Sequence, residues 1–383
     1  MKNTPWRAVI AAALPGDPYR VNSTTGLVLA LKPMTITDAL KKVVDRTDLN
    51  SGEAEAVLEQ IMTGQCTDAQ IASLLTALRM KGETVEELTG FARVMRRKAA
   101  RVQPLTTVSA EIGGTDREAL IDTCGTGGDV SGSFNVSTAA AFVAAGAGVR
   151  VAKHGNRSVS SQCGSADVVE ALGVRIELQP DQIARCIDEV GIGFLHAPLL
   201  HDAMKYVAIA RRQMGIRTIF NMLGPLTNPA GANTQVVGVY AAHLTELLAR
   251  VLGELGSTRA LVVHGSDGLD EITITGESKI TELRNGEPNT YFVSPEDFGL
   301  TRATLAEIQG GDARQNSRII LEVLRGGRGP KRDIVLLNAA AAFVASSRVS
   351  DLKAGVAVAA ESIDNGSALN KLEQLIAFTN QAG

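Results

Sequence analysis

The sequence predicts an α/β protein in which a small helical domain precedes a large domain with a central, mostly parallel sheet. Capped amphipathic helices follow one another, without an intervening strand, from residue 35 to about residue 103. From about Ala119 onward, short apolar runs alternate with helical patterns, which is typical of a parallel sheet covered by helices. We therefore expect a helical domain at 34–103, which later helices of the chain can join, and an α/β domain at 104–383. An irregular, mobile N-terminal extension is expected at 1–33.

Start and stop signals mark the helices of the first domain. Three threonines have an acidic or amide residue three positions later, which is the spacing of a capping box: Thr35 with Asp38, Thr67 with Gln70 and Thr84 with Glu87. Apolar residues at helical spacing follow these starts. Gly64 and Gly82 are expected to end two of the helices.

Strands and helices are expected to alternate in the second domain. The predicted strands are ALID, VRVAK, VRIEL, IGFLHA, TQVVGVY and RALVVHG, and an antiparallel group follows, EITIT, KITEL and TYFV. The predicted helices among them are NVSTAAAFVAAGAG, SADVVEALG, PDQIARCIDEVG and residues 244–255. After about residue 312 the pattern is helical to the end of the chain.

Composition argues against several classes of function. The 383 residues carry a net charge of −3 and only 4% aromatic side chains, which disfavours a nucleic-acid partner. No apolar run approaches the roughly 20 residues of a membrane helix. Four cysteines without a C-x-x-C pair are typical of reduced thiols in a cytoplasmic protein. Cys124 lies beside a glycine cluster and could be a nucleophile, but no histidine lies near it in sequence.

A glycine-rich segment, DTCGTGGDVSGSFNVST, lies where the strand ALID ends and a helix begins, at residues 122–138. Its glycines let the backbone approach an oxygen-rich anion, to which the hydroxyls of Ser133, Ser137 and Thr138 could donate hydrogen bonds. The segment is neither a Walker loop nor a dinucleotide fingerprint. A tight turn without a ligand could also require these glycines, but the added hydroxyls favour a phosphate site.

A second polar segment, KHGNRSVSS, follows the strand VRVA at residues 153–161. Lys153, His154 and Arg157 would supply positive charge, and three serines would supply hydroxyls. Taken alone, this segment is more simply interpreted as a solvated polar loop. Two such segments, each after a strand of the same sheet, indicate a ligand with two phosphate-bearing ends.

Charged residues further along the chain indicate what else the site could bind. Asp270 and Glu271 are adjacent carboxylates, which are either a solvated pair or, beside substrate phosphates, ligands for Mg²⁺. Arg211, Arg212 and Arg217 lie close together, and each is either a surface residue or a group that grips a carboxylate through two parallel bonds. The residues alone therefore indicate an Mg²⁺-dependent enzyme for a phosphorylated small molecule, which could also carry a carboxylate.

The chain resembles the anthranilate phosphoribosyltransferases, which are relatives of the class II nucleoside phosphorylases. Seven motifs between residues 122 and 275 stand in that family's order: DTCGTGGD, FNVST, KHGNRSVSS, CGSADVVEALG, FLHAPLLHDAM, GIRTIFNMLGPLTNPA and GLDEIT. The resemblance implies transfer of phosphoribose from phosphoribosyl pyrophosphate to the amino group of anthranilate, with release of pyrophosphate, in tryptophan biosynthesis. It also implies a homodimer formed through the helical domain and allows a pathway contact with anthranilate synthase.

The resemblance also implies roles for individual residues. Phosphoribosyl pyrophosphate would be bound by the two polar loops and the helix start that follows, that is by Gly125, Gly128, Asp129, Ser133, Asn135, Val136, Ser137, Thr138, Lys153, His154, Gly155, Asn156, Arg157, Ser158, Val159, Ser160, Ser161 and Ser165. Lys153 would also stabilise the leaving group. Anthranilate would contact Gly125, Asn156 and Arg211. Mg²⁺, expected as two ions per subunit, would be held by Ser137, Asp270 and Glu271, and no single general base is assigned.

Two other functions stay open at this point. A pyrimidine-nucleoside phosphorylase shares the implied fold, but it uses free phosphate and a lysine-serine loop that this sequence lacks. A non-catalytic relative that binds nucleic acid should have lost the acidic pair and gained a basic face. Asp270 and Glu271 are present here, and the net charge is −3.

The N-terminal extension carries four prolines and shows no periodic apolar face. We therefore expect residues 1–33 to bury little surface and to stay mobile. Met34 would then be a candidate for the natural start, and the extension is too short to be the amidotransferase domain that is sometimes fused to this family.

A chain that begins at Met34 is expected to fold, dimerise and work like the longer chain, because the extension should contribute little buried surface. Trp6 is the only tryptophan, so its emission in the full chain should be red-shifted and readily quenched by iodide. A blue-shifted, protected Trp6, or a shortened chain that loses activity or its dimer, would contradict this prediction.

Overall fold

The computed structural model describes residues 19–21, 28–30, 34–105, 119–127, 132–158 and 162–381. Most of the expected extension, including Trp6, lies outside the described residues. Its two described pieces are short strands, β1 (Tyr19–Val21) and β2 (Val28–Ala30), which pair in antiparallel fashion. This pair was not predicted, because three-residue strands are too short to show an alternating pattern. The domain boundaries given above stay predictions.

Four helices follow one another in the N-terminal region: α1 (Ile36–Val44), α2 (Ser51–Met62), α3 (Asp68–Lys81) and α4 (Val85–Lys98). The three predicted threonine caps are present, because each hydroxyl accepts a hydrogen bond from the amide three residues later. The start of α2 was not predicted; there Asn50 and Glu53 form a capping box. Gly82 follows α3 with a φ of +91°, a backbone conformation that favours glycine.

A seven-stranded sheet forms the centre of the second domain. Its strands are β3 (Leu120–Gly125), β4 (Arg150–Gly155), β5 (Ile192–His196), β6 (Thr234–Gly238), β7 (Arg259–Gly265), β8 (Ser278–Arg284) and β9 (Glu287–Val293). They lie in the order β5-β4-β3-β6-β7-β8-β9. Neighbours from β5 to β7 are parallel, whereas β8 and β9 pair in antiparallel fashion. The predicted mostly parallel sheet is therefore confirmed.

Helices also follow the N-terminal four, and some of them cover this sheet. They are α5 (Val136–Gly146), α6 (Ser165–Ala171), α7 (Pro180–Arg185), α8 (Ala197–Leu200), α9 (Lys205–Met214), α10 (Ile219–Leu223), α11 (Leu244–Glu254), α12 (Ala313–Leu324), α13 (Pro330–Ala345), α14 (Leu352–Asp364) and α15 (Ser367–Gln381). A π-helical turn at Cys186–Val190 extends α7. Short 3₁₀ turns lie at Asp202–Met204, Gly224–Leu226, Pro295–Phe298 and Leu305–Ile308.

Two of the predicted strands are wrong. Residues 174–178 (VRIEL) bury every second side chain but belong to no strand. An alternating pattern indicates that one face of a segment is buried, but a strand also needs a neighbouring strand to pair with. Residues 271–275 (EITIT) form an irregular turn instead. In that turn the hydroxyls of Thr273 and Thr275 donate to the Asp267 carboxylate, and such side-chain bonds compete with strand pairing.

The two faces of the sheet are covered by different helices. Val236 and Leu261 lie in a core shared with α5 and α13, whereas Val237 and Val262 lie in a core shared with α4 and α11. The chain runs from β3 into α5 and from the neighbouring strand β6 into α11, so these two connections leave toward opposite faces. A crevice at the carboxyl ends of β3 and β6 follows from this reversal, and open α/β sheets bind ligands in such crevices.

The N-terminal helices share the second of these cores. α9 packs against α3, while α10 and α11 pack against α4. Helices from the later part of the chain therefore lie beside those of residues 34–103. In the described part of the chain, no helix is both long and apolar enough to cross a membrane.

Candidate active site

Two glycines at the carboxyl ends of the central strands make room for the acidic turn. Gly125 of β3 and Gly238 of β6 are paired across the sheet. A Cβ atom on Gly125 would lie 2.5 Å from Asp270 Oδ2, and one on Gly238 would overlap the Asp270 carbonyl oxygen. The Gly127 amide donates a hydrogen bond of 3.1 Å to Asp270 Oδ2, although the two residues are 143 positions apart in the sequence. The glycine-rich loop and the acidic pair therefore meet at the crevice.

Glu271 faces the start of α5. The Ser137 amide donates a hydrogen bond of 3.0 Å to Glu271 Oε1, and the Ser137 hydroxyl oxygen lies 3.4 Å from Lys153 Nζ. The Thr123 hydroxyl in turn donates to the Ser137 carbonyl oxygen at 3.0 Å. Three segments that are distant in sequence thus bring a carboxylate, a hydroxyl and an ammonium group together.

Lys153 is almost completely buried, with 3% of its surface exposed. Its ammonium group donates to the Thr123 carbonyl oxygen at 2.6 Å. Burial lowers the pKa of Lys153, while the nearby carboxylates of Asp122 and Glu271 oppose that effect. Burial also raises the pKa of Asp122 to about 6, against the opposing effect of Lys153. These opposite charges therefore interact in a region from which water is largely excluded.

The buried carboxylate of Asp122 links separate segments of the chain through hydrogen bonds. Its Oδ1 accepts a hydrogen bond from the His154 amide at 3.1 Å, and its Oδ2 accepts one from the Asn228 side chain at 2.8 Å. The Asn228 side chain also donates to the Ala152 carbonyl oxygen at 2.8 Å. Asn228 stands in the motif GPLTNP, and sequence reasoning gave it no role, because nothing in its neighbours indicates a buried carboxylate partner.

The second polar loop leaves the carboxyl end of β4 beside the start of α6. A Cβ atom on Gly155 would overlap the Ser165 hydroxyl oxygen, so only glycine allows this close approach. The Ser165 hydroxyl lies 3.5 Å from the Asn156 carbonyl oxygen, and the Asn156 side chain is exposed. These three predicted residues are therefore neighbours, with the Asn156 side chain accessible to a ligand.

Arg157 does not present a free charge. Its guanidinium group pairs with Asp167 at 3.1 Å and with Glu170 at 2.8 Å, both on α6. The amide of Ser158 donates to the same Asp167 carboxylate at 3.0 Å. The pairing raises the pKa of Arg157 and holds the loop against the helix. The positive charge that was expected to bind a ligand is therefore shared with two carboxylates.

A pair of asparagines links the two polar loops. The Asn135 side chain donates to the Cys163 carbonyl oxygen at 3.3 Å and accepts from the Asn316 side chain at 3.0 Å. Asn316, on α12, is buried and also accepts from the Gly311 amide at 2.8 Å. Ser133 forms an isolated antiparallel bridge with Gln309 of the same segment. Sequence reasoning missed Asn316, because it lies 181 residues from its partner.

Arg211 lies on α9, with its guanidinium carbon 5.3 Å from the centroid of the Phe220 ring. Among the described residues, its side chain has no hydrogen bond or ion pair. Burial lowers the pKa of Arg211, and a partly buried cation without a counter-ion is a suitable partner for a ligand carboxylate. Arg212 is exposed, and Arg217 stacks on the Tyr240 ring at 4.6 Å.

The remaining predicted residues differ in what the structure can say of them. Val136 and Thr138 are buried in the first turn of α5, so their side chains face the core. Gly128, Asp129, Val159, Ser160 and Ser161 lie outside the described residues. Burial raises the pKa of the Cys124 thiol, and the neighbouring Asp122 adds to the effect, which argues against a nucleophilic thiolate.

The oxygen donors at the crevice fit Mg²⁺. Asp270, Glu271 and the Ser137 hydroxyl supply the hard ligands that this ion prefers. Across the described segments, no group of three or more histidine, cysteine or carboxylate side chains could hold a metal ion. Two protein carboxylates with oxygens from a bound phosphate are a usual way to bind Mg²⁺, so the arrangement suits an ion that arrives with its substrate.

Comparison with known proteins shows the family of this chain. The α/β domain model of a glycosyl transferase family matches residues 117–369, and the helical bundle domain model of that family matches residues 37–99. An anthranilate phosphoribosyltransferase of Moorella thermoacetica is 58% identical over 339 residues, which cover 88% of this chain and 97% of that protein. The chain belongs to the anthranilate phosphoribosyltransferase family. The α/β fold with a helical domain, predicted from sequence, is that of the family.

Solved structures of anthranilate phosphoribosyltransferases share the whole architecture. The enzyme of Thermus thermophilus matches with a TM-score of 0.82 and 42% identity, over 90% of this chain and 99% of that one. The Saccharomyces cerevisiae enzyme in complex with phosphoribosyl pyrophosphate and Mg matches with a TM-score of 0.80 and 29% identity. The same yeast enzyme in complex with 4-fluoroanthranilate matches with a TM-score of 0.79 and 28% identity. Each yeast match covers 90% of this chain and 98% of that one.

Two buried histidines lie side by side near Lys153. The ring centroids of His154 and His201 are 5.1 Å apart, and the Nε2 atom of each is buried without a hydrogen-bond partner among the described residues. Burial lowers the pKa of His154 to about 3 and that of His201 to about 4, and for His154 the neighbouring His201 adds to the effect. Both rings are therefore neutral at pH 7.

Acidification should destabilise the fold through these histidines. Their pKa values are lower in the folded than in the unfolded chain, so the stability present above pH 6.5 is lost as pH falls toward 4. For His201→Gln we expect the loss of unfolding free energy between pH 7 and pH 5 to be about 2 kcal/mol smaller than in the wild type. Urea unfolding at both pH values measures it, with the exposed His243→Gln as control. Equal losses in wild type and His201→Gln would refute the prediction.

Proposed function

We propose that this protein transfers the 5-phosphoribosyl group of phosphoribosyl pyrophosphate to the amino group of anthranilate and releases pyrophosphate, which is a step of tryptophan biosynthesis. The observation that carries the proposal is the meeting of two strand-to-helix loops and an acidic turn in one crevice. Membership of the chain in the anthranilate phosphoribosyltransferase family supports the same reaction. The phosphorylase and nucleic-acid-binding alternatives have no comparable support.

The sugar diphosphate would lie between the two polar loops. Backbone amides and hydroxyls of the first loop and the start of α5 would bind one end, and the loop after β4 would wrap the other. The yeast relative that binds phosphoribosyl pyrophosphate has the same fold, which supports this placement. The individual roles of the residues predicted above to bind phosphoribosyl pyrophosphate remain our proposal.

Asp270, Glu271 and Ser137 would hold Mg²⁺ together with oxygens of the pyrophosphate group. We propose two ions per subunit. When bound, Mg²⁺ would neutralise negative charge that develops on the leaving group. The yeast relatives with Mg support the use of this metal.

Lys153 would assist departure of pyrophosphate. In the reaction the anthranilate nitrogen bonds to the anomeric carbon, and the bond from that carbon to the pyrophosphate oxygen breaks with its electron pair on the oxygen. A buried ammonium group, fixed by the Thr123 carbonyl and close to Ser137, would stabilise that charge. The aromatic amine is already neutral at pH 7 and loses its proton after attack, so positioning rather than a strong base would provide most of the rate.

Anthranilate would be oriented by Arg211 through its carboxylate, with Asn156 and Gly125 as further contacts. The support is the partly buried guanidinium group without a counter-ion among the described residues, stacked on Phe220. Guanidinium groups bind planar carboxylates through two parallel hydrogen bonds. The complex of the yeast relative with 4-fluoroanthranilate supports an anthranilate site in this fold.

A homodimer formed through the helical region remains a proposal. Several large apolar side chains are exposed on α1, α3 and α9 and just after α9, namely Val44, Met80, Ile209 and Ile216. Exposed apolar side chains favour contact with another protein where they lie together on a surface. The cytoplasmic location and a contact with anthranilate synthase stay predictions.

A direct assay tests the activity. Anthranilate fluorescence should decrease when the enzyme, phosphoribosyl pyrophosphate and Mg²⁺ are mixed, and pyrophosphate should accumulate in equal amount. Omission of phosphoribosyl pyrophosphate is the control. If fluorescence persists with all components present, the proposed reaction is wrong.

The acidic pair should be essential for turnover. For the double variant Asp270→Asn with Glu271→Gln, we expect kcat to fall by roughly two orders of magnitude or more at modest Mg²⁺, because the charge that holds the metal is removed. Steady-state rates across a series of Mg²⁺ concentrations measure this loss. Normal turnover of the double variant in chelated buffer would show that the metal assignment is wrong.

Arg211→Ala should weaken anthranilate binding more than phosphoribosyl pyrophosphate binding. Loss of this charge-assisted contact corresponds to roughly 1.5 to 3 kcal/mol, or about a 10- to 150-fold rise in the KM for anthranilate. The matched control is Arg212→Ala, the exposed neighbour on the same helix. Equal rises in both Michaelis constants would rule out this role for Arg211.

A further inference from the structure

Asn338 is a buried polar residue of α13 that none of the roles above uses. Its Oδ1 accepts a hydrogen bond from the Ile272 amide at 2.9 Å, and its Nδ2 donates to the Ile272 carbonyl oxygen at 2.9 Å. The same Nδ2 donates to the Ile334 carbonyl oxygen at 2.9 Å, one turn earlier in α13. Both hydrogens of the carboxamide and its oxygen are thus engaged. The reverse orientation would place a donor against the Ile272 amide, so the carboxamide has one orientation.

The residue held by Asn338 directly follows the acidic pair. Ile272 comes after Glu271, and its side chain is fully buried. On the other side of the pair, Asp267 Oδ1 accepts from the Leu269 amide at 3.1 Å and its Oδ2 accepts from the Thr273 hydroxyl at 2.5 Å. The backbone is therefore anchored before and after the two carboxylates, which themselves reach the glycine-rich loop and the start of α5.

Packing alone does not explain an asparagine at this position. Thirteen of the sixteen residues of α13 are buried, and Asn338 and Arg332 are the only polar ones among them. A buried carboxamide costs free energy unless its hydrogen bonds are made, and an apolar side chain would fill the same space without that cost. What Asn338 adds to the helix is therefore its pair of hydrogen bonds to Ile272.

We propose that Asn338 is a positioning residue for the metal-binding carboxylates. By fixing the backbone of Ile272, it sets the place of Glu271 and Asp270 before the substrate and metal arrive. Groups that orient metal ligands in this way commonly contribute about 10- to 100-fold in metal affinity or activity. The inference rests on the proposed function, because it concerns the same acidic pair.

Asn338→Ala tests this role against a matched control. We expect the Mg²⁺ concentration for half-maximal velocity to rise about 10- to 100-fold. The KM for anthranilate should change by less than about two-fold, because Asn338 is not proposed to contact anthranilate. The control is Ser362→Ala, which also removes a buried hydrogen bond from a side chain to the backbone, that to the Val143 carbonyl. It should leave the Mg²⁺ requirement unchanged.

Two further measurements do not depend on activity. Hydrogen exchange of the segment 266–278 should be faster in Asn338→Ala than in the wild type without any ligand, because the Ile272 amide loses its acceptor. Binding of Mn²⁺ in the presence of phosphoribosyl pyrophosphate, followed by electron paramagnetic resonance of the free ion, should weaken by the same factor as the Mg²⁺ requirement. If the alanine variant does not fold, Asn338→Leu retains the volume and supports the same comparison.

The outcomes separate this inference from the proposed function. A wild type that needs no divalent ion would overturn the metal assignment, and with it the role of Asn338. A wild type that needs Mg²⁺, beside an Asn338→Ala variant with an unchanged requirement, would overturn only the inference. Equal shifts in Asn338→Ala and Ser362→Ala would also overturn it, because they would indicate general destabilisation.

Discussion

The close approach of Asp270 to two glycines, through its side chain at Gly125 and its backbone at Gly238, is the constraint on which the site depends. Gly125 and Gly238 end neighbouring strands at the point where the connections diverge, and neither can carry a side chain without meeting Asp270. Because the acidic turn can lie directly on the strand ends, its carboxylates reach the amides of Gly127 and Ser137. A β-carbon at either glycine would push the turn away and separate the acidic pair from the phosphate loops.

Desolvated charge is the second organising feature of the crevice. Lys153 and Asp122 are buried close to each other, and each has hydrogen bonds to groups that also belong to the framework of the site. Burial of a charge is costly unless partners compensate it, and the same loss of water strengthens its interaction with a substrate. The Asn228 side chain, which binds both Asp122 and the backbone of β4, completes this support. The result is a preorganised cation beside the place proposed for the leaving group.

Much of the fold could be predicted from local pattern, and the two wrong strands each have a physical cause outside that pattern. The threonine caps and the parallel strands depend on neighbouring residues and on burial, which are visible in the sequence. The segment VRIEL shows the same alternation as a strand, but its own residues do not indicate whether a partner strand lies beside it. The segment EITIT forms a turn instead of a strand, because hydrogen bonds from two of its threonines to Asp267 compete with strand pairing.

By itself, the sequence determined the fold class, the two polar loops and the acidic pair, together with the family to which their motifs point. These features depend on residue type and short spacing, which the chain shows directly. Only the tertiary structure decided that Arg157 is paired on α6, that Arg211 stays without a counter-ion among the described residues, and that Asn316 and Asn338 support the loops from distant helices. The physical reason is that a hydrogen bond or ion pair depends on which groups lie within about 3 Å, and the packing of distant segments sets that distance.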